Sequence, residues 1–144
     1  MVSILTQMAK NALVDEWSSK QMIAILEADQ INSLIPAPLP QIPIAHKTGS
    51  FNDTLNDVGI VYQAGSPYVI AVLTTNLPTL SSGRRFIRRV SKLAYAGIRH
   101  EAQMRDRASA AQNDEPASAP AEASPMQTDA AATPAPEPEA TSRP

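Results

Sequence analysis

The sequence predicts an α+β fold, an antiparallel sheet flanked by helices and followed by a disordered tail. Three observations lead there. Apolar residues recur at helical spacing before a proline-rich connector, three β-rich runs separated by turn signals follow, and a last helical period ends where the composition changes abruptly.

Each element follows from its residues. Ile4, Leu5, Met8, Ala12 and Leu13 recur every three to four residues and predict a helix that opens the chain. A second helix is expected over 18–28, with Met22, Ile23, Ile25 and Leu26 grouped with Trp17, which reads as a helix-end packing residue; Ser18 or Ser19 is the expected cap. Four prolines between positions 36 and 43 exclude a helix there and predict an extended, ordered connector. Residues 44–48 form a short strand leading into a turn at Gly49. Residues 58–62 and 68–75 are β-rich runs separated by the turn signal Gly65-Ser66-Pro67. Two hairpins of this kind make a three-stranded antiparallel sheet. Its second and third strands are apolar on both faces, so helices are expected to cover both. A final helix over 81–105 places Phe86, Ile87, Val90, Leu93, Ala94, Gly97 and Ile98 on one stripe, with Gly97 marking a close approach to the sheet. Its arginines read as a solvated face, since Glu101 and Asp106 follow.

Residues 109–144 contain 11 Ala, 7 Pro and 6 acidic groups, and no Leu, Ile, Val, Phe, Trp or Tyr. Such a segment buries too little apolar surface to offset its chain entropy, and disorder is expected. The chain of 144 residues therefore divides into a folding part, 1–108, and a tail, 109–144. The formal charge of -2 divides likewise, into +3 for the folding part (11 basic, 8 acidic) and -5 for the tail (1 basic, 6 acidic). Neither is the strongly basic balance of a nucleic-acid binder. With no cysteine, disulfide scaffolds, thiolate nucleophiles and thiolate zinc sites are excluded, and two histidines make a histidine metal site unexpected. The N-terminus has no signal-peptide pattern, and no apolar run reaches the roughly 20 residues of a spanning helix.

The chemistry-bearing segment is His46-Lys47-Thr48-Gly49-Ser50. A cation, a hydroxyl and a glycine at a strand end group backbone donors and polar side chains around one ligand, an arrangement suited to a carboxylate and a developing oxyanion. His46 reads as a packed strand residue. Lys-Thr-Gly is one of three elements shared by class A β-lactamases and penicillin-binding proteins. Together with Pro43-Ile44-Ala45 before it, and with Asn56-Asp57-Val58-Gly59-Ile60-Val61-Tyr62 and Tyr68-Val69-Ile70-Ala71-Val72-Leu73-Thr74 after it, the segment resembles the C-terminal portion of the class A β-lactamase-like serine hydrolases. The resemblance covers residues 4–102.

That resemblance implies roles. Lys47 would support the serine-lysine machinery, Thr48 would contact the substrate carboxylate, Gly49 would keep the strand edge open, and Ser50 would lend its backbone N–H to the oxyanion hole. The implied chemistry is acylation of a serine by a lactam carbonyl, then hydrolysis, with no cofactor and no metal. The nucleophile itself is missing. A Ser-x-x-Lys pair needs serine three residues before lysine, and Gln7, Trp17, Ile44 and Arg89 occupy those places before the four lysines. Ser-Asp-Asn is also absent. The implied partners are a small β-lactam or peptidoglycan-like substrate of a parent enzyme and a missing N-terminal half, with no nucleic acid and no membrane. The family is typically periplasmic or secreted. A segment of a peptidoglycan D,D-transpeptidase or carboxypeptidase stays open as an alternative, as does a non-catalytic remnant or binding fragment.

Overall fold

The computed structural model describes residues 1–28 and 31–113. The order of elements is α1 (Val2–Ala9), α2 (Glu16–Glu27), β1 (Ile44–Phe51), β2 (Thr54–Val61), β3 (Tyr68–Thr74) and α3 (Leu80–Asn113).

α1 ends earlier than its apolar spacing predicts, because Asn11 takes the left-handed conformation at φ 55. Asn11 N then donates to Met8 O (2.9 Å) and Ala12 N to Gln7 O (2.8 Å), the paired bonds of a Schellman stop. α2 starts at Glu16 with Asp15 as its cap, whose side chain accepts from Ser18 N at 2.7 Å. The expected serine caps are thus replaced by an aspartate. Ser19 instead is buried and closes the α1–α2 link: its hydroxyl donates to Leu13 O (2.9 Å) and accepts from Leu13 N (3.2 Å). Trp17, expected to pack at the helix end, is 72% exposed.

The connector is ordered but turns rather than extends, with Ala37 N donating to Leu34 O and Leu39 N to Pro36 O. It drives Leu34 and Ile35 fully into the core. The sheet has the expected order β1-β2-β3, antiparallel throughout. Its first two strands are longer than predicted. Gly49 pairs with Asn56 inside the ladder, and the chain reverses at Asn52-Asp53, where Asn52 supplies the positive φ of 47.

Helices cover both faces of the sheet. On one, Leu55, Val61, Ile70 and Val72 pack with Leu34, Ile35 and Ile87 of α3. On the other, Ala45, Val58 and Ile60 pack with Leu5 and Met8 of α1 and with Met22, Ile23 and Leu26 of α2. The close approach of α3 falls at Gly83, where a Cβ would run into Leu77 Cδ1; Gly97, expected to serve this purpose, faces open space. Phe86 and Leu93 also leave the sheet-facing stripe and are exposed. α3 continues past the expected end at Arg105 to Asn113, since alanine-rich residues 108–111 favour helix. Residues 109–113, expected to open the disordered tail, are instead the last turn of this helix; the rest of that segment, 114–144, lies outside the described residues.

Candidate functional site

β1 is an edge strand, and this decides what Lys47, Thr48, Gly49 and Ser50 can reach. Side chains alternate between faces along a strand. The register pairs Lys47 with Val58 and Thr48 with Asp57, so Lys47 lies on the α1/α2 face and Thr48 on the α3 face. A single ligand contacting both must lie along the free edge of β1, where alternate backbone groups of the strand are unpaired. Lys47, Gly49 and Ser50 are exposed, and Thr48 is half-buried.

The Lys47 side chain bends back on its own strand, its Nζ donating to Thr48 O at 2.9 Å. Beside it opens a cleft of about 480 Å³ between α1, α2 and the sheet. Its walls are mostly apolar, including Leu5, Met8, Met22, Leu26 and Val58; the polar lining residues are Lys47, Thr48 and Asn56. Gly49 is on this rim, and a Cβ there would meet nothing within 4 Å. The chain's own packing therefore does not require glycine at this position. What glycine provides is an open strand edge for close approach from outside.

Immediately under this strand is a polar centre that spacing alone does not reveal. His46 and Asp57 are both fully buried, and His46 Nδ1 lies 3.1 Å from Asp57 Oδ1. Asp57 Oδ2 accepts from Ile35 N at 2.8 Å. A carboxylate has no proton to give, so His46 Nδ1 is the donor. One side chain thus ties β1, β2 and the connector together behind Lys47 and Thr48. Gly59 stands opposite His46 in the ladder, and a Cβ on it would fall 2.8 Å from both Ala45 O and His46 Cβ. The glycine makes room for the histidine. The sequence signal for this centre is an aspartate inside an otherwise apolar strand, which must be paired if buried. His46 is packed, as expected.

Two tyrosines shift upward in pKa. Burial raises Tyr68 to about 12, with a further contribution from Tyr95, and its hydroxyl is buried without a partner. Burial also raises Tyr62, aided by Glu27. Neither lines the cleft beside Lys47.

An antiparallel sheet with helices on both faces matches part of the fold of the β-lactamases and penicillin-binding proteins. Residues 1–98 match the model of the Beta-lactamase enzyme family, and the chain belongs to that family. Among solved structures it is similar to PBP-A (TM-score 0.64, 25% identity, 69% of this chain and 38% of that one). It is similar also to the β-lactamase of Sphaerobacter thermophilus (TM-score 0.63, 29% identity, 65% of this chain and 37% of that one). A PBP-A mutant captured as an acyl-enzyme complex with penicillin G matches equally well, at TM-score 0.64 and 25% identity over 69% of this chain and 38% of that one. No curated protein matches the sequence. The chain spans less than two fifths of the length of these solved relatives.

Proposed function

We propose that this chain supplies the substrate-binding strand of a class A β-lactamase-type acyl-serine site whose nucleophile comes from polypeptide outside residues 1–144. The observation that carries this reading is the Lys47-Thr48-Gly49 run on the free edge of β1, flanking an apolar cleft in a chain without Ser-x-x-Lys. In this reading Lys47 supplies positive charge beside the serine that is acylated. Thr48 donates its hydroxyl to the substrate carboxylate, Gly49 keeps the edge accessible, and the Ser50 backbone N–H stabilises the oxyanion as the lactam carbonyl becomes tetrahedral. The substrate is a β-lactam. The folding unit, expected to end at 108, runs to the end of α3 at Asn113, and the cleft wall is where a helix bearing the nucleophile would meet Lys47.

The test is turnover of a chromogenic β-lactam. The chain alone is expected to give none. Mixed with the nucleophile-bearing fragment of a family domain it is expected to give activity, and Lys47→Ala is expected to remove that activity without unfolding the chain, because Lys47 is exposed. Turnover by the purified chain alone would sink the proposal. The likeness to PBP-A supports a second reading, a peptidoglycan D,D-transpeptidase or carboxypeptidase segment. A reconstituted site that acylates but releases product hundreds of times more slowly than it acylates would favour that second reading.

A further inference from the structure

Thr48 has a charged neighbour on its own face of the sheet. The register sets Asp57 directly opposite Thr48, and side chains alternate along a strand, so both share a face with His46, two residues back on β1. Directly opposite Cβ atoms in such a pair are about 5 Å apart, a gap that one hydrogen bond from a hydroxyl to a carboxylate closes. Asp57 is bonded elsewhere. Its Oδ1 lies 3.1 Å from His46 Nδ1, on the diagonal, and its Oδ2 accepts from Ile35 N at 2.8 Å; the Thr48 hydroxyl is not among its donors.

A carboxylate accepts more than two hydrogen bonds, so lack of capacity does not keep Thr48 out. Orientation does. Both partners of Asp57 are held in place from behind: Ile35 is fully buried and its carbonyl accepts from the buried Ser91 hydroxyl of α3 at 2.8 Å, while Gly59 leaves the space that the His46 ring fills. His46 Nε2 is buried with no partner, so the ring contributes through Nδ1 alone. Ile35, His46, Asp57 and Ser91 are all fully buried within this chain, and their arrangement does not depend on what covers β1 from outside. Without the Nδ1–H donor, Asp57 would be a buried charge short of a partner, which is costly, and the hydroxyl standing opposite it is that of Thr48.

We propose that His46 is a positioning residue for Thr48: by holding the Asp57 carboxylate on the diagonal, it keeps that carboxylate from taking the Thr48 hydroxyl and leaves the hydroxyl to donate at the strand edge. A pair that served only to tie the strands together would do so equally well with Thr48 among its donors. The use of that hydroxyl on a substrate carboxylate rests on the acyl-serine reading; the orientation of Thr48 does not.

The test is the Thr48 χ1 angle, read from three-bond nitrogen–carbon and carbon–carbon couplings to its methyl group in the full 144-residue chain. His46→Phe fills the ring's space without a donor, and Thr48 is expected to move to another staggered well, about 120° away. His46→Asn places a nitrogen donor two bonds from Cβ, as Nδ1 is, and is expected to keep the parent well although its smaller side chain leaves the chain less stable. A merely structural histidine would have Thr48 follow stability instead. Thr48→Val removes the hydroxyl and keeps the shape; it is expected not to lower the urea midpoint of the parent, a result that decides the matter if the Phe variant does not fold, and to lower the midpoint of His46→Phe. Mixed with a fragment bearing the family's Ser-x-x-Lys helix, His46→Phe should raise KM for penicillin at least about tenfold with kcat nearly unchanged, and His46→Asn should not. A Thr48 that turns in the Phe variant while no mixture acylates upholds the positioning and counts against the acyl-serine reading alone. Thr48 in one well in both the parent and the Phe variant, the Asn variant in the Phe variant's well, or a parent midpoint that falls with Thr48→Val overturns the proposal.

Discussion

Replacing Asp57 by alanine removes the one side chain that holds β1, β2 and the connector to a common point. Its carboxylate accepts from Ile35 N at 2.8 Å and lies 3.1 Å from His46 Nδ1, and both it and His46 are fully buried. In Asp57→Ala two buried donors lose their acceptor, and water cannot reach either without opening the core. Each orphaned donor costs about 1–3 kcal/mol, so the two together cost about 2–6 kcal/mol. Against a typical domain stability of about 5–15 kcal/mol this is a large fraction of the whole. Asp57→Asn has a milder outcome. The amide oxygen can still accept from Ile35 N, while its NH₂ meets a His46 ring that presents Nδ1 as an acceptor, moving the ring proton to Nε2, an atom with no partner in the parent. The remaining loss is the charge assistance, about 1–2 kcal/mol. Urea titration followed by far-ultraviolet circular dichroism measures both, with the midpoint falling in the order parent, Asn, Ala at constant slope. An alanine variant within about 1 kcal/mol of the parent, or an asparagine variant as unstable as alanine, would refute the reasoning.

Other expectations follow from the same packing. Gly59→Ala forces a methyl to within 2.8 Å of Ala45 O and His46 Cβ, and should cost about 1–3 kcal/mol in the same titration; a neutral result would mean that the ladder at His46 yields easily. Tyr68→Phe removes a buried hydroxyl that has no partner, so stability at neutral pH should be unchanged or rise by up to about 1 kcal/mol. The parent's Tyr68 is raised from near 10 to about 12 in the folded state, so its contribution is complete below pH 10 and disappears as pH climbs toward 12. The Phe variant should lack that part of the alkaline loss in a pH series of melting temperatures. On the acid side, the Ser18 backbone N–H lowers the Asp15 carboxyl, and Lys20 lowers that of Glu16. Both contributions are present above the ordinary carboxylate range and fall away as pH drops through the lowered values, so Asp15→Ala should flatten the acid limb of the melting profile.

Much of this fold was legible because hydrophobic periodicity carries it. The β-rich runs and the helical periods put three strands between helices, and apolar residues on both sides of β2 and β3 required cover on both faces. The Lys47-Thr48-Gly49 segment was legible as a motif, but not its layout: strand alternation sends Lys47 and Thr48 to opposite faces, which needs the register. The register depends on the turn, and glycine misled there. Gly49 signals a turn by composition, whereas Asn52 tolerates the left-handed conformation and makes the reversal. The same ambiguity hid Asn11 as a helix stop. Trp17, Phe86 and Leu93 were expected inside because they are large and apolar, yet single-chain periodicity cannot say how wide a stripe the sheet will cover. Asp57 was the deepest omission, since its meaning comes from His46 and from Ile35, 22 residues away in sequence. Gly97 and Gly83 lie on one helix, and only packing against Leu77 distinguishes the close contact from the open one.

The most direct test of the central claim is intact-mass spectrometry after incubation with penicillin. The chain alone should keep its mass. Mixed with a fragment bearing the family's Ser-x-x-Lys helix, the penicilloyl adduct should appear on that fragment and not on this chain, and Lys47→Ala should abolish it. A penicilloyl adduct on this chain itself, or acylation of the partner fragment that proceeds equally well with the Lys47→Ala variant, would contradict the account.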